Sequence, residues 1–228
     1  MSDSVSPFDG LNSAERVPDA EVDDRLQQVL AGDQTVFAAL YAEHRPRLLR
    51  MVSFRLDPRL RGRIDADDVV QDAFVDASRR LEAFRAAQPM SLFVWLRLIL
   101  GQTLVDLHRH HLGVQKRDAH RDQSIQARLA HDTSMTMSFH LLGNMTSPSQ
   151  IAMRAELSAM VSRALEEMNP IDREVLALRH FEELSNKEVS EVLGLDRRAA
   201  SIRYVRALAR LKEVLQGVPG FFDDASRG

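Results

Sequence analysis

From Ala66 to Leu81 apolar residues recur at the period of an α-helix, and this period constrains the fold more than any other feature of the chain. Val69, Val70, Ala73, Phe74, Ala77 and Leu81 share one face, while Asp65, Asp68, Asp72 and Asp76 line the opposite one. The same three- and four-residue spacing governs most other segments, and few alternating valine- or threonine-rich runs occur. An all-α fold is therefore expected. A helix is expected from Val22 to Leu30, stopped at Gly32, and Asp33 then stands as N-cap of a longer one through Phe37, Leu40, Tyr41, Leu48, Leu49 and Val52. Pro46 is expected to kink or break it. LDPRLRGRID reads as a turn-rich connector and FRAAQPMS as a loop.

The helix SLFVWLRLILGQTLVDLHRHH, Ser91 to His111, carries the only tryptophan. At 100° per residue Trp95, Gln102, Asp106 and Arg109 gather on one side, with Ile99 among them. Such a strip resembles a surface for unstacked bases, because aromatic faces stack on bases and polar groups hold what remains. Taken alone, the helix fits a core tryptophan beside an ordinary polar face better. From about Leu112 to Gln150 the period fades and Ser, Thr, Met, Asp and Gln collect, which marks an interdomain linker with a short helix near Ser124 to Ala130.

Beyond the linker, Ile151 to Met168 reads as a helix and Pro170 opens another through Val175, Leu176, Leu178 and Arg179. Ser185 and Glu188 then form a capping box, Gly194-Leu195-Asp196 a tight turn, and Asp196 an N-cap for a longer basic helix. This is the helix-turn-helix pattern. On the last helix Arg203, Arg206 and Arg210 share a stripe, Arg197 and Arg198 occupy the first turn, and Ile202, Val205, Leu208, Ala209 and Leu215 are expected to be buried. A recognition helix enters the major groove at its front while basic groups neutralise phosphates. Spacing, capping and stripe together favour DNA over an ordinary basic helix face; each alone is weak.

Bulk charge adds little, since the 228 residues carry a formal net charge of -3, so a nucleic-acid partner must be argued from where the charges lie. Residues 1–24 are acidic, with Arg16 the sole basic residue, and read as a disordered leader, whereas 45–63 holds seven arginines against Asp57. The absence of cysteine excludes disulfides, thiolate metal sites and cysteine nucleophiles, and fits a reducing cytoplasm. The start lacks the basic and apolar blocks of a secretory signal. The apolar run from Leu92 to Val105, interrupted by Arg97 and Gln102, falls short of the roughly 20 residues that span a bilayer. A soluble cytoplasmic protein with no membrane partner is expected. Histidines 108, 110, 111, 120 and 131 invite a metal site, but no HExxH or other ligand spacing supports one. With no glycine-rich phosphate loop and no supported Ser-His-Asp grouping either, neither a cofactor nor an enzyme is expected.

These pieces, in this order, resemble a bacterial RNA polymerase sigma factor of the extracytoplasmic-function subfamily. The resemblance is carried by DADDVVQDAFVDASRRLEAFR, FVWLRLILGQTLVDLHRH and MNPIDREVLALRHFEELSNKEVSEVLGLDRRAASIRYVRALARLK, and covers about 22–111 and 153–215. It implies two small helical domains joined by a flexible linker: residues 1–21 a leader, 22–111 sigma domain 2, 112–150 the linker, 151–216 sigma domain 4 with its helix-turn-helix, and 217–228 a tail. It implies as partners core RNA polymerase, through the largest subunit's clamp helices and the flap, and promoter DNA, both duplex and single-stranded. The family often has an anti-sigma factor, though none can be inferred from this chain.

By the same resemblance Asp68 and Gln71, with Asp72 beside them, bind the clamp helices. The segment from Phe84 to Arg109 captures the non-template strand of the minus-ten element, through Arg85, Trp95, Arg97, Gln102, Asp106 and Arg109. Arg198, Ser201, Arg203 and Arg206 read the minus-thirty-five element as duplex, with Arg197 and Arg210 on phosphates. The chain departs from the family where Gln102 stands in place of a common asparagine, and where the Phe84-to-Phe93 segment is longer than usual. Two rivals remain: a conventional helix-turn-helix regulator with a sensing or dimerisation domain, and a histidine-dependent metalloenzyme.

Overall fold

A computed structural model of the chain describes residues 19–87, 90–112, 133–142 and 148–217. Among these residues the architecture is all-α, with helices, turns and bends and no strand. In chain order the elements are α1 (Asp19–Ala31), α2 (Gln34–Arg55), α3 (Ala66–Ala87), α4 (Leu92–Leu112), α5 (Thr133–Leu141), α6 (Pro148–Glu166) and α7 (Pro170–Leu176). A π-helical turn (Ala177–Phe181) follows, then α8 (Asn186–Leu193) and α9 (Arg197–Gln216). The acidic leader through residue 18, the short helix expected near Ser124 to Ala130 and all but the first residue of the tail lie outside the described residues. No described helix is long and apolar enough to cross a membrane.

The chain divides into two compact units, Met1–Leu40 and Tyr41–Gly228. In the first, α1 ends at Gly32, whose φ of 108° lies in the region that favours glycine. Asp33 caps α2 as its sequence position suggests, its Oδ1 accepting from the amides of Thr35 at 2.9 Å and Val36 at 3.0 Å. Val29, Phe37 and Leu40 are buried.

In the second unit α2 continues past Pro46 without the expected break. An interior proline costs roughly 3 kcal/mol. Beyond it Leu48, Met51, Val52 and Phe54 are all buried, and at about 1.5–3 kcal/mol for each side chain their burial outweighs that cost. α3 buries Val69, Val70, Ala73, Ala77, Leu81 and Phe84. Phe74 on the same face is half-buried, its ring 4.8 Å from that of Tyr41, whose hydroxyl donates to the Val70 carbonyl at 2.5 Å. α4 packs along α3 and buries Leu96, Ile99, Leu100 and Leu104.

Residues 133–142, where the helical period fades and linker is expected, form α5 and its final turn. The period is hidden because the buried side mixes Met137 and Leu142 with Thr133, Thr136 and Ser138. Those polar groups are tolerated inside where they find partners, as in the 3.1 Å contact between the Ser138 and Ser158 hydroxyls. α6, α7 and α9 enclose an apolar cluster that includes Val161, Leu165, Leu176, Ala207, Leu211 and Leu215. The helix expected from Pro170 through Arg179 changes to a π-helical turn at Ala177, where the Glu182 amide donates back five residues to the Ala177 carbonyl at 3.0 Å.

The helix-turn-helix forms as its local signals require. Ser185 and Glu188 make both arms of the capping box, at 3.2 and 2.7 Å. Gly194 turns the chain at a φ of 63°, and Asp196 Oδ1 accepts from the Ala199 amide at 2.8 Å.

Candidate nucleic-acid and polymerase interfaces

α9 does not bury the face that its apolar residues suggest. Ala200, Ala207, Leu211 and Leu215 are the buried residues, Leu208 is half-buried, and Ala209 is exposed. Ile202 and Val205 stand 55% and 67% exposed. Charge pairing and small side chains decide the face. Arg203 Nη1 donates to Asp172 Oδ1 at 2.6 Å, and Arg206 Nε and Nη2 donate to Oδ2 and Oδ1 at 2.9 and 3.1 Å. Asp172, buried on α7, thus draws one edge of α9 inward, and alanines 200 and 207 give no bulk to hold the helix off. Burial would push the Asp172 carboxyl up, but the two arginines outweigh it and hold it below the usual carboxylate range.

The outward side of α9 presents Arg197, Arg198, Ser201, Ile202, Val205 and Arg206. Ser201, Ile202 and Val205 share a face one turn beyond Arg198. Arg210, one turn past Arg206, pairs with Glu213 at 2.9 Å and approaches Glu167 at 3.8 Å. Ile202 and Val205 are the residues that sequence reasoning missed. The signal was Asp172 at the start of α7, the carboxylate able to compete for Arg203 and Arg206.

On α4 the proposed base-holding strip opens to solvent only in its second half. Trp95 is 8% exposed and stacks on Phe84 with ring centroids 4.6 Å apart, so in this arrangement its indole faces protein. Arg97 is 2% exposed and bound to Glu182. Gln102 is half-buried, Asp106 and Arg109 are exposed and paired at 3.5 Å, and Arg85 is half-buried at the end of α3. Arg80 of α3 donates to the Gln102 side-chain carbonyl, which fixes that amide beside a cation. Sequence reasoning passed over Arg80, although it follows Asp76 by four residues on the polar face of α3.

Asp68, Gln71 and Asp72 lie exposed at i, i+3 and i+4 on α3, as the helical period requires. The adjacent Asp67 is paired with Arg45 of α2. His120 and His131 lie outside the described residues, and the described histidines form no three-ligand cluster. His108 Nε2 accepts from the Asp57 amide at 3.2 Å, and the His110 and His111 rings meet edge to face at 4.9 Å. Among the described residues no group of three or more His, Asp or Glu side chains is placed to hold a metal ion.

A charged network buried in the second unit has no counterpart in the sequence expectations. Arg55 donates from Nε to Glu182 at 2.7 Å and from Nη2 to Glu174 at 2.6 Å. Arg97 reaches Glu182 from Nε at 2.7 Å, and Thr133 Oγ1 donates to Glu174 at 3.0 Å. Burial acts to raise the Glu182 carboxyl, and Arg97 and Arg55 together hold it low. Glu188, paired with Arg47, is lowered in the same way against the effect of burial. Burial pushes the His180 ring below its ordinary value, and burial followed by the Arg61 charge does so for His140.

These directions predict a two-step acid response. A base held low in the fold takes up protons more readily when unfolded, so His140 and His180 contribute stability above about pH 6.5 that is lost as pH falls toward their folded values. The depressed carboxylates of Asp172, Glu182 and Glu188 contribute stability above about pH 4.5 that is lost as pH falls further. Melting temperature should drop between pH 7 and pH 5 and again below pH 4.5. The first drop should be missing in a His140→Gln, His180→Gln double variant, and its persistence there would assign it elsewhere.

Comparison with known proteins identifies the family. The Sigma-70 region 2 family matches residues 40–112, and the Sigma-70, region 4 family matches residues 158–211. The RNA polymerase sigma factor CnrH of Cupriavidus metallidurans is 30% identical over 82% of this chain and 91% of its own length. The RNA polymerase sigma-H factor of Pseudomonas aeruginosa is 27% identical over 84% of this chain and 92% of its own. The ECF RNA polymerase sigma factor SigW of Bacillus subtilis is 24% identical over 84% and 95%. A solved structure of CnrH in complex with the cytosolic domain of CnrY covers 85% of this chain and 97% of its own at a TM-score of 0.46 and 27% identity. A helix-turn-helix preceded by an acidic-faced helix and a tryptophan-bearing one, matched in that order by both regions, places the chain in the sigma-70 family, among the extracytoplasmic-function RNA polymerase sigma factors.

Proposed function

We propose that the protein works in the cytoplasm as a promoter-specificity subunit that catalyses no reaction itself, with its tasks divided along the chain. The exposed Asp68, Gln71 and Asp72 of α3 bind the clamp helices of core polymerase. Arg80, Gln102, Asp106 and Arg109, at the open end of the α3–α4 pair, hold the unpaired minus-ten strand, with Arg85 beside them. Trp95, stacked on Phe84, acts there as the support that positions α4. Melting costs a few kcal/mol per unstacked base, roughly, which contacts to the separated strand must offset.

α9 reads the minus-thirty-five element as duplex. The observation that carries this assignment is the capped, glycine-turned helix whose exposed face sets Ile202 and Val205 beside Ser201 and Arg198. Exposed aliphatic side chains on a recognition helix match the thymine methyl groups of the major groove, and the flanking arginines match phosphates and guanine edges. Ile202→Ala with Val205→Ala should therefore cost about 1–3 kcal/mol of affinity for the preferred minus-thirty-five duplex, the scale of one lost base-pair match. Replacing its thymines with uracil should weaken the wild type and leave the double variant unchanged. Arg210→Ala should instead weaken every sequence alike and lower the salt slope by about one. Fluorescence anisotropy of the holoenzyme on such duplexes measures both, and equal loss from uracil in both proteins would remove the methyl contacts.

A further inference from the structure

Two arginines of α9 converge on one carboxylate, that of Asp172, buried at the start of α7. Arg203 Nη1 reaches it at 2.6 Å, and Arg206 reaches both of its oxygens, from Nε at 2.9 Å and from Nη2 at 3.1 Å. The two arginines are not equally placed. The Arg203 side chain is 26% exposed and lies withdrawn beside Asp172, whereas that of Arg206 is 59% exposed. Arg206 also stands one turn past Ile202, on the face that looks outward.

A guanidinium carries five N–H bonds in one plane. Arg206 gives its inner edge, Nε and Nη2, to Asp172. Its outer edge keeps one N–H on Nη1 and one on Nη2 as two parallel donors. In the major groove only guanine presents two acceptors side by side, O6 and N7, and a parallel donor pair matches them.

Resting on the function proposed above, we propose that Asp172 is a positioning residue for minus-thirty-five recognition: it holds Arg206 with its outer edge toward the groove, so that Arg206 reads a guanine. An unanchored arginine on an exposed helix face samples many rotamers, and a phosphate attracts it as well as a base does. The buried carboxylate removes that freedom in the free protein, so the cost of ordering the side chain falls on folding rather than on binding. Burial opposes the charge on Asp172, but the two arginines overcome it, and the carboxylate keeps the ionised form that accepts both bonds from Arg206. The first turn of α7 is itself fixed, since the Asn169 side chain accepts from the Ile171 amide at 3.0 Å. A lysine could not take the place of Arg206, because a point charge has no fork to divide between a carboxylate and a base.

The test uses holoenzyme assembled from the full chain and core polymerase, bound to preferred minus-thirty-five duplexes in which each guanine in turn is replaced by 7-deazaguanine, which lacks the N7 acceptor. The wild type should lose about tenfold in affinity at one of these guanines. Asp172→Asn turns an N–H toward the arginines and releases Arg206. It should bind the unmodified duplex about tenfold more weakly and show no further loss at that guanine, while its salt slope steepens by about one as Arg206 moves to a phosphate. Damage to the fold alone would weaken every duplex and steepen nothing. Arg206→Lys should abolish the same guanine penalty, and the two changes together should cost no more there than either alone, because both break one interaction. If Asp172→Asn loses its helical circular dichroism, the order parameter of the Arg206 Nε–H bond in the free wild type decides instead: about 0.85, as for rigid backbone, is expected, and below about 0.6 would overturn the positioning role. A full guanine penalty in either variant, or additive losses, would overturn it too. A wild type indifferent to every guanine yet weakened by uracil would overturn the Arg206 contact and leave α9 as the duplex reader. Indifference to both would overturn that assignment itself.

Discussion

Leu176→Ala should lower the free energy of unfolding by about 2–5 kcal/mol, whereas Ile202→Ala should change it by less than about 0.5 kcal/mol. Leu176 is wholly buried at the end of α7, in the cluster that joins α6, α7 and α9 through Leu165, Ala207, Leu211 and Leu215. Truncating it removes the transfer energy of three carbons and leaves a cavity where the π-helical turn begins, a place with little freedom to collapse. Of a domain stability of only about 5–15 kcal/mol, that is a large share. Ile202, at 55% exposed, loses little by truncation. Urea unfolding followed by circular dichroism reports both values. A cost for Ile202→Ala comparable to that of Leu176→Ala would mean that α9 buries the face its apolar residues first suggest.

Asp68→Ala with Gln71→Ala should weaken binding to core polymerase by about tenfold to a hundredfold, the range of a hot-spot loss. Both side chains are exposed on α3, one turn apart, and neither supports the fold, so the variant should melt close to the wild type. Titration of labelled protein with core polymerase gives the affinity. Unchanged affinity with an unchanged melting temperature would remove α3 from the polymerase interface.

Most of the helices were legible because their signals are local. The α3 stripe, the Ser185–Glu188 capping box, the glycine at 194 and the caps at Asp33 and Asp196 each need only a few neighbouring residues, and each appears where expected. What stayed hidden depends on pairs distant in sequence. The outward turn of Ile202 and Val205 depends on Asp172, about 30 residues earlier, competing for Arg203 and Arg206. The burial of Arg97, which the resemblance assigns to the minus-ten strand, depends on Glu182, 85 residues later. α5 escaped notice because threonine and serine are buried there alongside methionine, so hydropathy carries no period. Pro46 misled in the other direction, since the burial that keeps α2 intact comes from the packed structure as a whole.

The site residues divide along the same line. Asp68, Gln71, Asp72, Arg197, Arg198 and Ser201 are exposed where helical geometry puts them. Trp95 and Arg97 are withdrawn by Phe84 and Glu182, contacts that no spacing rule foretells.

Run-off transcription with purified core polymerase on a promoter library is the most direct measure of whether one half of this chain serves the enzyme and the open strand while the other serves the duplex. Added wild-type protein should start transcripts from templates that share two separated motifs, and the Asp68→Ala, Gln71→Ala variant should start few. Silence on every template, or tight sequence-specific binding to duplex with no polymerase present, would contradict it.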